Sequence, residues 1–104
     1  PEPEELAMEF IQIIEIRTSR FEELSTLEDE WEKATEGKRT LRRSIITRDR
    51  NDPTRHLVIA FFDSYESAMV NSDLPETTEF GQRQAALLDG PMAFTDLDVI
   101  QDRS

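Results

Sequence analysis

Arg55-His56-Leu57-Val58-Ile59-Ala60-Phe61-Phe62-Asp63-Ser64 is the stretch on which the fold turns. After His56 it is apolar through Phe62, with β-branched and aromatic side chains, and Asp63-Ser64 ends it, so His56 to Phe62 reads as a strand. Just upstream, Asn51-Asp52-Pro53 supplies turn chemistry, and Thr40 to Arg50 reads as a strand through Leu41, Ile45, Ile46 and Thr47. The two runs make a hairpin. Downstream come a short helical stretch holding Ala68 and Met69 and a second opening at Pro75, a good first-turn residue, carrying Phe80, Leu87 and Leu88 as far as Asp89-Gly90-Pro91.

Toward the N-terminus, Met8 to Arg17 carries Phe10, Ile11, Ile13, Ile14 and Ile16 and reads as a strand buried on both faces. Ser19 can cap a helix whose apolar positions Phe21, Leu24, Leu27, Trp31 and Ala34 follow three-and-four spacing and which ends near Gly37. That spacing puts Trp31 in the core. A last strand runs from Met92 to Ile100, alternating Leu97 and Val99 with Asp96 and Asp98. The order β-α-β-β-α-β is that of an α+β, ferredoxin-like unit with an antiparallel sheet. Helices on one face leave the other uncovered, and a second copy is the simplest cover, so a homodimer is expected.

At 104 residues there is room for one core. A single domain is expected over residues 8–101, with a disordered N-terminal end at 1–7, where Pro1-Glu2-Pro3-Glu4-Glu5 offers little to pack, and a C-terminal tail at 102–104. The net charge of −11 opposes binding to nucleic acid and to anionic membranes. The charge is uneven: Lys38, Arg39, Arg42, Arg43, Arg48, Arg50 and Arg55 face only Asp49 and Asp52, a local +5 that leaves −16 elsewhere. Such a segment suits an anionic ligand, an acidic partner surface or a solvated hairpin with paired arginines. With no cysteine, disulfides and thiolate chemistry are excluded. No apolar run approaches the roughly twenty residues of a membrane span, and no basic-then-apolar leader precedes the fold. A cytoplasmic protein is expected.

The run Arg55 to Ser64 followed by Ala68-Met69, within this order of elements, resembles the dimeric α+β barrel superfamily in its antibiotic-biosynthesis-monooxygenase-like branch. The resemblance spans about Met8 to Ile100. It implies a dimer whose sheets close into a barrel, with a small organic ligand between sheet and helices. Gln12 matches a position where some cofactor-free oxygenating members carry Asn, and its amide would orient a ligand carbonyl or dioxygen. Phe62 stands where many members have Trp, Asn71 where a haem-degrading relative has a second Trp, and Phe80 where that relative has its haem-ligating His. A phenyl ring cannot ligate iron, so haem degradation is not implied and no cofactor is expected.

Arg43 and Arg48, five residues apart on one expected strand, point to opposite faces; one could fix a substrate anion, or both could make intersubunit ion pairs. His56 reads as packing more readily than as a general base. Asp96 and Asp98 share a face, yet no metal site is expected from carboxylates alone. Tyr65 remains for stacking on a flat ligand. Two functions follow: a small-ligand protein with an aromatic ligand, monooxygenase-like and cofactor-independent, with Gln12, Arg43, Arg48, Phe62, Asn71 and Phe80 at its ligand site, or a non-catalytic binding or assembly module with a filled or vestigial pocket. Its catalytic residues are not identified by the sequence.

Overall fold

A computed structural model describes residues 8–103; the expected N-terminal end lies outside them. The elements are β1 Phe10–Arg17, α1 Phe21–Ala34, β2 Arg43–Ile46, β3 Arg55–Phe62, α2 Tyr65–Ser72, α3 Pro75–Ala85 and β4 Ala93–Asp98. The four strands form one antiparallel sheet in the order β2-β3-β1-β4. This is the ferredoxin-like α+β arrangement expected, with the second helix broken into α2 and α3. The break falls at Ser72-Asp73-Leu74, where Pro75 opens α3 at a position needing no N–H partner.

Local chemistry accounts for the element ends. Ser64 caps α2 by accepting from the Ser67 N–H. Ser19 does not cap α1; that place is held by Arg20, and the Thr18 hydroxyl accepts from the Arg20 N–H instead. Gly37, at φ +80, reverses the chain after α1, as an L side chain would do only with strain. β2 is four residues, not the eleven of Thr40 to Arg50, because past Ile46 the Leu57 N–H goes to Thr47 Oγ1 and the Thr47 carbonyl accepts from His56, leaving single backbone bonds and an isolated Asp49–Asp52 bridge. Leu87 and Leu88 lie past the end of α3.

Register assigns the faces. Phe10, Gln12, Ile14 and Ile16 of β1 pair with Phe62, Ala60, Val58 and His56 of β3 on the side toward the helices. At one end Phe10, Ala60, Phe62 and Ala68 are buried together with Leu41 and Met69 against them, and Tyr65 meets Phe10 edge-on at 5.4 Å between ring centroids. At the other end Ile16 and Leu24 are fully buried, and Phe21 of α1 stacks on His56 at 4.7 Å. Thr18 ties that end shut: its hydroxyl donates to the Leu87 carbonyl at 2.7 Å while accepting from Arg20. Thr18→Val keeps the shape and removes both bonds, so a loss of about 1–2 kcal/mol is expected, read as a lower urea midpoint at unchanged slope.

The opposite face carries an apolar row, Ile45, Ile59, Ile13 and Thr95, next to a second row, Arg43, Phe61, Ile11 and Leu97. No element of the described chain covers it.

Candidate functional site

Gln12 stands at the middle of β1, on the helix side, and its Nε2 donates to Asp96 Oδ1 of β4 at 2.9 Å. Two turns beyond Phe21, on the side of α1 that stacks on the sheet, comes Glu28: seven residues at 100° each return within 20° of the same direction. It follows fully buried Leu24 by four residues and precedes fully buried Thr35 by seven. Helix rise puts it roughly 10 Å along α1 from Phe21, whose ring stacks on His56 of β3. Glu28 is half-buried, and burial, with neighbouring Asp29 adding to it, pushes its carboxyl up to about 7. Neither a cation nor a hydrogen-bond donor offsets that rise. A carboxyl poised near neutrality is suited to taking and returning a proton.

The other expected site residues are dispersed. Phe62 is in the core against Phe10, at 6.3 Å between centroids. Asn71 is buried in α2, where its Oδ1 accepts from the Thr40 N–H at 3.0 Å and fixes the chain entering β2. Phe80 lies on α3 beside Trp31, at 6.1 Å. Arg43 is on the uncovered face, its guanidinium 5.3 Å from the centre of the Phe61 ring, so the sheet separates it from Gln12. Arg48 lies beyond β2 and is exposed.

His56 is 2% exposed. Its Nδ1 lies 3.0 Å from the Thr47 carbonyl oxygen, to which it donates, and Nε2 is buried without a partner. It is a packing residue beneath Phe21. Trp31 is only partly buried; its indole N–H donates to Thr77 Oγ1 at 3.0 Å. Two grooves, of about 220 and 340 Å³, run between α1 and α3 and share the Arg83–Glu30 ion pair at 3.0 Å. Gln12 and Glu28 line neither.

The cations of the basic segment are paired largely within the chain: Lys38 binds Glu76 of α3, Arg42 binds Asp63, and Arg39 donates to the Glu32 carbonyl of α1. Arg55 binds Glu15 and Asp49, each at 2.9 Å, and Arg17 binds Asp52. The Thr54 hydroxyl and N–H, with Arg17, hold the Asp52 carboxyl down at about 2, while Arg55 lowers Glu15 and the Asn51 N–H, with Arg55, lowers Asp49. A lowered carboxyl stabilises the fold above its ordinary value, and that stabilisation disappears as pH falls through the lowered one. Acid unfolding followed by circular dichroism is therefore expected to begin at higher pH in Arg55→Gln than in wild type.

Fold and sheet register together define a ferredoxin-like α+β domain, and its fold is similar to that of solved proteins assigned to the antibiotic biosynthesis monooxygenases. A protein from Caulobacter crescentus, provisionally assigned to those monooxygenases, superposes with a TM-score of 0.79 at 9% identity, over 91% of this chain and 92% of its own. SnoaB, a cofactor-independent oxygenase from Streptomyces nogalater, gives 0.78 at 12% over 92% and 97%. Rv0793 from Mycobacterium tuberculosis gives 0.75 at 15% over 92% and 99%. No family model and no curated protein matches the sequence. At these identities the likeness is one of fold. Among the described residues, no helix is long and apolar enough to cross a membrane.

Proposed function

We propose that the chain is a homodimeric, monooxygenase-like protein that works without a cofactor, handling a small aromatic ligand between α1 and the helix-facing side of β1 and β3. The observation that carries this reading is Glu28, a half-buried carboxyl poised near 7 on the sheet-facing side of α1. Its ionised form takes a proton from an electron-rich substrate, and the resulting anion supplies electrons to dioxygen. Where a CH₂ becomes C=O, one oxygen atom enters the carbonyl and the other leaves as water. Gln12 holds the ligand opposite. Two copies pair through the uncovered sheet face. Fold likeness to a cofactor-independent oxygenase supports the class of chemistry.

A second reading, a non-catalytic binding or assembly module, is favoured by one fact: neither groove between α1 and α3 reaches Gln12 or Glu28, and one end of the helix-facing side is filled by Phe10, Phe62 and Ala68. Native mass spectrometry separates the two. A dimer retaining a small organic molecule supports the ligand reading, a dimer of bare mass favours the module, and a monomer overturns the pairing.

A further inference from the structure

Gln12 and Asp96 stand directly opposite each other on β1 and β4, and the contact between them has a chemical direction. An ionised carboxylate only accepts hydrogen bonds, so the amide must turn its NH₂ toward Asp96. The reverse placement would set Gln12 Oε1 against a carboxylate oxygen. With one Nε2–H engaged at 2.9 Å and Nε2 held beside Asp96, Oε1 is turned away from the carboxylate, and the end of the amide distal to Asp96 offers a ligand an acceptor. The neighbouring pair of the same face is Ile14 with Phe94, whose ring is 56% exposed. A flat ligand thus has an apolar surface beside the amide.

We propose that Asp96 is a positioning residue which locks the Gln12 amide with its carbonyl oxygen outward, so that the site selects ligands presenting a hydrogen-bond donor. The inference rests on the ligand site described under the proposed function. An Asn at position 96 both donates and accepts, so it satisfies either orientation of the Gln12 amide and releases the lock with almost no change in size.

The test is calorimetric titration of the wild-type protein and Asp96→Asn with 2-naphthol and with its methyl ether, which has the same ring but no donor. Wild type is expected to prefer naphthol about tenfold, the equivalent of one well-made hydrogen bond. In Asp96→Asn the preference is expected to fall to about twofold or less, because the freed amide can serve either probe. Phe94→Ala is expected to weaken both probes alike and leave the ratio unchanged. If wild type binds both probes equally, or Asp96→Asn keeps the full preference, the positioning role is wrong while the ligand site stands. Binding of neither probe by wild type overturns the site, and the positioning role with it.

Discussion

Glu28→Gln is expected to consume dioxygen about a hundredfold to ten-thousandfold more slowly than wild type with an electron-rich phenolic substrate, the range lost when a general base is removed. Glutamine keeps the size and polarity of the side chain and cannot take the proton. In wild type the rate is expected to rise with pH through about 7, where the carboxyl ionises. A variant with unchanged turnover, or a wild-type profile flat across that region, would remove Glu28 from the mechanism.

The same substitution has a thermodynamic signature of opposite sense. In the unfolded chain Glu28 has its ordinary value of 4.5, and in the fold about 7, so the native state holds this proton more tightly. The resulting stabilisation is fully present below 4.5 and is lost as pH rises through 7. Complete burial would make the effect about 3 kcal/mol; the half-exposed position reduces it to about 1 kcal/mol. Urea midpoints of wild type are therefore expected to decline across that interval, and those of Glu28→Gln to stay level. The window is separate from that of Asp52, whose stabilisation disappears only as pH falls toward 2.

If two copies pair as proposed, Ile59→Asp is expected to leave the protein monomeric. Ile59 lies between Ile13 and Ile45 at the centre of the uncovered sheet face, and a two-fold interface buries each substituted residue twice. An unpaired carboxylate in such a place costs several kcal/mol, enough to weaken association by more than about a hundredfold. Ile46→Asp is the control, because Ile46 pairs with Val58 on the other face and is already 38% exposed. Sedimentation at micromolar protein distinguishes them: the control remains dimeric and Ile59→Asp does not. Dimerisation surviving Ile59→Asp would place the interface elsewhere.

The order of elements was legible because strands and helices alternate with clear punctuation, and Pro75 marked its helix start. Faces were not, since they follow from register, which pairs residues far apart in the chain. Arg43 could be placed against Phe61, and away from Gln12, only once Ile45 was seen opposite Ile59. Glu28 is hidden for a different reason. It sits in a helix that also carries Glu22, Glu23, Asp29, Glu30 and Glu32, and one more acid there reads as solvated surface. The available signal was its phase, four residues after Leu24 and seven after Phe21, on the apolar stripe. The length of β2 is not legible because Arg48 to Arg50 continue a strand-like run, whereas past Ile46 the Leu57 N–H turns to Thr47 Oγ1 and the Thr47 carbonyl to His56.

The sheet order also dictates when the pieces can meet during folding. β2 and β3 are joined by a short turn, yet their ladder is four residues long and gains little by itself. The central pair must bring Arg17 to Arg55 and Phe10 to Phe62, and β4 joins β1 only when Asp98 reaches Phe10 across nearly the whole chain. Loop closure on that scale precedes any return from burial, so topology alone sets a folding time of about milliseconds or longer. Until β4 arrives, β1 presents one bare hydrogen-bonding edge. A nascent chain in that state is the species on which a crowded cell would act.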